Sequence, residues 1–322
     1  MEGAVLIIST ALDTATDAVE EELTRRKVPV VRFNSEKYPF GSNLTYKISK
    51  QKLPILGIDD QREFRSIWYR RVRPPTHPNN MHEGHFAFAE KESRYALIGS
   101  ILALSNTLPT MSCPSSVWAA EHKPYQLAIA NQCGLTIPHT LISNLPSEAE
   151  NFFNQHSPNV VAKPVRTGYL KDADGPKAIY TSKVEEVHIR QIKRLSVAPV
   201  MFQTLIQKQS DIRVTIVGEK VFCAEILSQT DDDARVDWRR TSNPNLPHKH
   251  HELPDTVKIR LLDYMKRLGL VYGAIDLILD RTGNYYFLEV NPGGQWLWLD
   301  RILNIGITQS IADWLETGGS SQ

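Results

Sequence analysis

Near its C-terminal end this chain of 322 residues places two acids among aliphatic neighbours. Asp276 interrupts the apolar run 274–279, and Glu289 interrupts 285–290, with Asn291 and Pro292 directly after it. Between them Asp280, Arg281, Thr282, Gly283 and Asn284 form a run of turn-forming residues. A hairpin closed around Thr282 and Gly283 sets Asp276 opposite Glu289. Asn291 then shares the face of Glu289, because strand side chains repeat every second residue. Facing carboxylates repel, and one takes up a proton unless a cation lies between them. Asp, Glu and Asn offer only hard oxygen ligands, which suit Mg²⁺ bridging to a nucleotide's phosphates rather than zinc. Two acids at solvated strand ends would leave the same pattern.

Two lysines upstream could supply the opposite charge. Lys163 ends the apolar stretch Val160, Val161, Ala162 and precedes Pro164, while Lys123 follows His122 at the start of a helical run. Ammonium groups in such places neutralise phosphate as point charges, although an isolated lysine is more often a solvated surface residue. Asp211 and Arg213 alternate with apolar residues and project from one strand face, as a salt-bridged strand would also do. Neither GxxxxGK[ST] nor GxGxxG occurs, which argues against the usual NTPase and dinucleotide sites.

The elements that must hold these residues alternate early and turn strand-rich late. Strands are expected over 5–9, 28–33 and 66–70, with a helix over 13–26 that is acidic first and basic last. This open α/β layer ends near Cys113 and Pro114. A helix over 116–133, strands at 141–142 and 159–164, a mobile loop over 165–175 and a basic helix over 184–195 follow. Strands then cover 201–206, 212–217, 221–227, 274–279 and 285–290, interrupted by a helix over 255–268. Trp298 is expected to pack in the core, whereas Trp296 could either shape a site or anchor the last helix.

Composition sets the class. Lys plus Arg total 37 and Asp plus Glu 36, a net charge of +1 without the overall basic footprint of a nucleic-acid binder. With 41% hydrophobic and 23% charged residues, the chain can bury a core and is not disordered over most of its length. Cys113, Cys133 and Cys223 are odd in number and match no zinc spacing. The apolar runs 4–8 and 95–104 are too short for a signal peptide or a membrane span, so a cytoplasmic protein is expected. The histidines near 77–85 and 248–251 match no metal motif, and the run Asp231, Asp232, Asp233 reads as a solvated loop.

The order Lys123, Lys163, the segment Gln203, Thr204, Leu205, Ile206, then Asp211-x-Arg213, Asp276 and Glu289-x-Asn291 resembles that of ATP-grasp ligases. With residues 68–71 (Trp-Tyr-Arg-Arg), 237–240 (Asp-Trp-Arg-Arg) and 288–298, it is similar to the microviridin-type ribosomal-peptide maturases, the graspetide synthetases. The resemblance implies an α/β and α+β fold: an N-terminal α/β (pre-ATP-grasp) domain over 1–115, then a two-lobed ATP-grasp unit. Its central lobe would span 116–202 and carry a leader-binding helix; its C-terminal lobe would span 203–322 and carry the Mg²⁺ site.

By the same resemblance, Lys123 and Lys163 hold the phosphates of ATP. Gln203 belongs to the nucleotide segment, main-chain groups of Thr204, Leu205 and Ile206 meet adenine, and Asp211 lies near the ribose. Asp276, Glu289 and Asn291 take Mg²⁺, while Arg213 and Arg240 stabilise the transferring phosphoryl group or the acceptor carboxylate. Arg190 and Arg194 would face an acidic element of a leader peptide, although a basic helix face is often merely solvated. The implied reaction phosphorylates an Asp or Glu side chain of a precursor peptide and joins it to a Thr or Ser hydroxyl (ω-ester) or a Lys amine (ω-amide). A homodimer is implied; nucleic acid and membrane are not partners. The alternatives are a RimK-like carboxylate–amine ligase acting on a small molecule or protein terminus, and a nucleotide-binding module without catalysis.

Overall fold

The architecture comes from a computed structural model that describes residues 3–50, 52–166, 168–172 and 175–319. The first third contains, in chain order, β1 (Ala4–Ser9), α1 (Thr14–Arg25), β2 (Val30–Asn34), β3 (Leu44–Lys47), β4 (Ile55–Ile58), β5 (Phe64–Tyr69), α2 (Glu83–Leu104) and β6 (Thr110–Met111). Four of these strands form a parallel sheet in the order β2-β1-β5-β6, while β3 and β4 pair as a separate antiparallel ribbon. Every residue of β1 is buried, as expected of a parallel strand covered on both faces. The second strand starts at Val30 rather than at Val28, since Pro29 has no N–H to give to a ladder. Neighbours lie on both sides of β1, so the strand order reverses between β1 and β5, and Asp13 and Arg70 lie just past the carboxyl ends of these two strands.

The single helix expected over 116–133 is two helices, α3 (Pro114–Ala120) and α4 (Lys123–Gln132). His122 between them is extended (φ −92°, ψ 102°), and Pro124 sits in the first turn of α4, the one part of a helix where a missing N–H costs nothing. The break puts Lys123 at a helix start. Next come β7 (Thr140–Ser143), α5 (Pro146–His156), β8 (Val160–Lys163), β9 (Tyr169–Asp172), β10 (Gly175–Ala178), β11 (Ser182–Lys183), α6 (Glu186–Ile189) and β12 (Val200–Thr204).

Strands β11-β8-β12-β7 make one sheet, packed on Ala149 and Phe153 of α5. The loop expected over 165–175 holds β9 instead, paired antiparallel with β10. Positions 167, 173 and 174 lie outside the described residues. The helix expected over 184–195 is a single turn, α6, followed by a 3₁₀ segment over residues 192–197. Its apolar residues Ile189, Ile192 and Leu195 recur every three positions and pack on the α5 cluster. That period fits three residues per turn better than 3.6.

The final third contains β13 (Lys208–Val217), β14 (Lys220–Ile226), β15 (His248–His250), α7 (Asp255–Arg267), β16 (Tyr272–Asp280), β17 (Tyr285–Asn291), α8 (Leu297–Leu303) and α9 (Ile307–Thr317). The five strands form an antiparallel sheet, β15-β14-β13-β16-β17. Ile212, Val214, Ile216, Ile275 and Leu277 pack with Leu261, Tyr264 and Met265 of α7 and with Leu127 and Ala130 of α4. Thus α3 and α4, placed by the sequence with the central lobe, pack on the C-terminal sheet. A second core joins Val5, Ile7 and Trp68 of the first sheet to Val217, Tyr272, Ile311 and Leu315, and Trp296 is fully buried within it. Trp298 is only partly buried, its ring 5.5 Å from Trp238 and 5.1 Å from His248.

Candidate active site

The hairpin β16–β17 forms as its turn chemistry dictates. Asp280 Oδ1 accepts the N–H groups of Thr282 and Asn284, and Gly283 takes φ +89°, where a side chain would be strained. Asp276 pairs with Glu289, and Ala274 with Asn291. The register slips between Asp276 and Leu277, because Leu277 pairs with Phe287 and leaves Leu288 as an extra residue. This bulge lets Phe287 stay in the core while Leu288 and Glu289 both line a cleft.

That cleft lies between the central and C-terminal sheets as two adjoining cavities that share Lys163, Thr181, Arg239 and Glu289. The first is partly open to solvent. Its walls include the apolar residues Val161, Leu205, Ile206, Ile278 and Leu288. The N–H groups of Thr204 and Leu205 are already donated to His139 O (3.0 Å) and Asn159 O (2.9 Å). The N–H of Ile206 has no main-chain acceptor among the described residues. Gln203 is buried and donates from Nε2 to Thr140 Oγ1 at 2.8 Å, so its side chain braces the segment. Asp211 also lines this cavity, with Oδ2 taken by Lys208 Nζ at 2.6 Å and Ser228 Oγ at 2.5 Å. Burial pushes the Asp211 carboxyl up, against the pull of Lys208.

The charges are sorted along the cleft. The first cavity carries Asp211, Asp237, Asp276 and Glu289 against Lys163 and Arg239. The second reverses this, with Lys123, Lys163, Arg166 and Arg239 against Glu121 and Glu289. Acids thus dominate the first cavity and cations the second, with Glu289, Lys163 and Arg239 at the junction, an arrangement suited to a cation beside an anionic ligand. Lys123 Nζ lies 2.9 Å from Glu289 Oε2, and Arg239 Nη1 lies 3.6 Å from Glu289 Oε1. Burial would raise the Glu289 carboxyl, but Lys123, Lys163 and Arg239 together hold it below its usual value. Burial drives the Lys163 ammonium down to about 8 despite the neighbouring Glu289.

Arg213 answers the repulsion between the facing acids from the other side. Its Nη1 donates to Asp276 Oδ1 at 2.8 Å, and although burial disfavours its charge, Asp276 raises its pKa. Protein cations therefore already stand beside both carboxylates. Asn291, exposed at the strand end, lines the second cavity, and its Oδ1 accepts Gly293 N–H at 3.0 Å. Among the described residues no three His, Cys, Asp or Glu side chains form a metal cluster. Two carboxylates and an amide fit Mg²⁺ all the same, since that ion keeps waters and takes phosphate oxygens in the rest of its sphere.

The structure brings together Lys123, Lys163, Gln203, Thr204, Leu205, Ile206, Asp211, Asp276, Glu289 and Asn291 around the cleft, with Arg213 just behind Asp276. Arg240 is exposed and lines neither cavity; Arg239 lines both. Sequence reasoning missed Arg239 together with its partner. Asp237 binds it through two oxygens (2.9 and 2.8 Å) and accepts Thr181 N–H at 3.2 Å from across the cleft. Despite burial, Arg239 holds the Asp237 carboxyl down to about 2. Lys208, the partner of Asp211, was missed as well. A lysine three residues before an acid on a strand carries no distinctive signal. Arg190 and Arg194 are exposed and line neither cavity.

Comparison with known proteins identifies the two parts of the chain. An MvdD pre-ATP-grasp domain matches residues 4–113, and a RimK-like ATP-grasp domain matches residues 120–315. A RiPP-associated ATP-grasp ligase from Chryseobacterium gregarium, solved in complex with ADP and a leader and core peptide, has a TM-score of 0.89. It is 30% identical over 98% of this chain and 96% of its own. The macrocyclase MdnC from Microcystis aeruginosa MRC, bound with precursor peptide MdnA, has a TM-score of 0.84 and 32% identity over 97% and 99% of the two chains. The macrocyclase MdnB from the same organism follows with a TM-score of 0.78 and 30% identity over 98% and 99%. No curated protein sequence matches the chain.

Proposed function

The chain belongs to the RimK-like ATP-grasp family, as an ADP-forming RiPP ligase behind an MvdD-type pre-ATP-grasp domain, and from that premise we propose the reaction its cleft performs. It closes macrocycles in a precursor peptide whose core carries Asp or Glu together with Thr, Ser or Lys. The observation that carries this reading is the sorted cleft, in which a cavity lined by apolar residues and acids adjoins a cation-rich one.

A carboxylate is a poor electrophile because attack would have to expel oxide. A core carboxylate oxygen therefore attacks the γ-phosphorus of ATP, and ADP leaves. The hydroxyl or amine of the same peptide then attacks the acyl carbon of the acyl phosphate. Inorganic phosphate departs with the former carboxylate oxygen, the nucleophile loses its proton, and an ω-ester or ω-amide remains. Catalysis consists of alignment and of offsetting negative charge. Lys123 and Lys163 hold the phosphates, and Ile206 fixes the base. Arg239, braced by Asp237, lies where charge develops, and Arg213 holds Asp276 in place. Asp276, Glu289 and Asn291 would hold Mg²⁺, which when bound offsets phosphate charge and orients the phosphoryl group.

The test is the intact mass of a candidate precursor peptide, acidic and Thr-rich, after incubation with protein, ATP and Mg²⁺. Loss of one water per ring, absent without ATP, supports the reading. ADP release with the peptide mass unchanged would point to an intermolecular ligase, and no ADP at all would leave a binding module.

The working division remains 1–115, 116–202 and 203–322, with α3 and α4 as the seam between the last two. Arg190 and Arg194 remain the proposed contacts for an acidic leader element. A double charge reversal there should weaken precursor binding, and unaltered affinity would remove them from the account. A homodimer is supported by α2, where Phe88, Tyr95 and Leu102 recur every seven residues and are exposed, a seam spacing for helix pairing. Light scattering would decide it. Three free thiols suit a reducing, cytoplasmic setting, and no helix among the described residues is long and apolar enough to cross a membrane.

A further inference from the structure

We propose that the Asp13–Arg70 pair of the N-terminal sheet is a positioning device for the metal-binding end of the nucleotide site, acting through the turn that follows Asn291. The inference rests on the reading above and assigns a task to a domain that contributes no lining residue to either cavity of the cleft.

Arg70 sits just past β5, at the reversal of strand order between β1 and β5. Its three nitrogens go in three directions. Nε donates to Asp13 Oδ2 at 2.8 Å, Nη1 to Gly294 O at 3.3 Å, and Nη2 to Gln295 Oε1 at 3.2 Å. The guanidinium is packed against Trp296, 4.4 Å from its ring centre, with Trp68 at 5.5 Å and Tyr272 at 6.0 Å. Tyr272 Oη donates to the same Gly294 carbonyl at 2.7 Å. From the C-terminal sheet, Arg213 Nη2 donates to Gln295 O at 3.3 Å while its Nη1 holds Asp276. Two arginines from different domains thus hold one turn.

That turn sets Asn291. Gly293 N–H donates to Asn291 Oδ1 and Gly294 N–H to Asn291 O at 3.1 Å, so the amide oxygen is aimed by the backbone that Arg70 grips. The turn has little slack. A Cβ at Gly294 would stand 2.4 Å from Ala274 Cβ and 3.0 Å from Arg213 Nη2. Nor does stability alone explain a charge here. Arg70 is 2% exposed and Asp13 1%, and an apolar side chain in the same aromatic cage would hold the fold as well as a buried ion pair does. An apolar residue could not direct two N–H groups at the turn, and lysine, a compact point charge, lacks the planar fork that spreads donors to three separated acceptors.

The experiment uses the full chain and measures ADP affinity by calorimetry with and without Mg²⁺, for the wild type, Arg70→Lys and Gln295→Leu, alongside thermal unfolding. The result expected is that both variants bind ADP alone like the wild type but lose about tenfold of the gain that Mg²⁺ confers, as loss of an outer partner of a metal site does. Should Arg70→Lys fail to fold, Gln295→Leu decides alone, since it removes the Nη2 contact to the turn and leaves Arg70 its bonds to Asp13 and Gly294 O. A wild-type gain from Mg²⁺ in the folded variants, whatever their melting temperatures, overturns the inference and leaves the proposed function standing. Absence of any Mg²⁺ effect in the wild type overturns both.

Discussion

Arg70 and Arg213 each pair with an aspartate 2.8 Å away and each reach the turn at Gly294 and Gln295, yet their surroundings differ. The Arg70 and Asp13 side chains are sealed, at 1% and 0% exposure, whereas Asp276 beside Arg213 keeps 16% and faces the cleft. Burial lowers the pKa of Arg70 in spite of Asp13, while Asp276 raises that of Arg213 in spite of burial. One ion-pair chemistry therefore serves two ends. A sealed pair has no other partner to take and can only fix geometry. An open pair can exchange partners when a nucleotide and its cation arrive.

The largest effect should come from the open side. Glu289→Gln removes a proposed metal carboxylate and should lower kcat about 10²–10³-fold, a loss of the size seen when one oxyanion donor is removed. It also frees Lys123 and Arg239 from their counter-charge, so ADP without Mg²⁺ should bind more tightly than to the wild type. Weaker binding of metal-free ADP would contradict the charge assignment. On the sealed side, Asp13→Asn leaves Arg70 buried without a counter-charge and should cost about 3–5 kcal/mol in urea unfolding. Asp276→Asn should cost visibly less, because Asp276 is part-exposed at the cleft and water can reach the place of the lost charge. Equal losses would erase the distinction between the two pairs.

A smaller effect concerns pH. Lys163 titrates near 8 in the free protein, and a phosphate beside it raises that value, so binding takes up a proton above pH 8. Affinity for ADP without Mg²⁺ should be flat below pH 8 and fall by up to about tenfold per unit above it. Lys163→Arg should flatten the profile, and a wild-type profile already flat to pH 9.5, about one and a half units into the window, would show that Lys163 meets no phosphate.

The smallest effect belongs to the wet cluster that ties α1 to α9. There Glu22 meets Arg25 (2.7 Å) and Arg26 (2.8 Å), and Arg26 reaches Asp313 (2.6 Å) and Glu316 (3.1 Å). Hydrogen bonds from Arg25 and Arg26 hold the Glu22 carboxyl down to about 2, against 4.5 for a free glutamate. Its stabilisation is complete above pH 4.5 and disappears as pH falls towards 2. Melting curves of the wild type and Glu22→Gln should therefore differ slightly at neutral pH and converge in acid. A constant gap would remove Glu22 from the pH dependence.

Legibility in the sequence followed locality. The facing of Asp276 and Glu289 could be read because one tight turn fixes the hairpin's register. Lys163 could be placed because Pro164 ends its strand. The Leu288 bulge had no local signature, since it answers the need to keep Phe287 in the core. Arg239 was passed over for Arg240 because residues adjacent in a 3₁₀ turn point in different directions, and only the grip of Asp237 decides which enters the cleft. The break at His122 and the three-residue period of Ile189, Ile192 and Leu195 were visible, but the longer helical pattern obscured them. The reach of Arg70 into the turn after Asn291 spans more than two hundred residues and has no sequence signal.

The central claim is that the cleft moves phosphate onto a peptide carboxylate and then expels it. The most direct measurement uses a precursor peptide whose core Asp and Glu carboxylates carry ¹⁸O, with unlabelled ATP, and follows the released phosphate by mass spectrometry. The account predicts one ¹⁸O in phosphate for every ring closed, with ADP formed in the same amount. Rings closed without label in phosphate would contradict it.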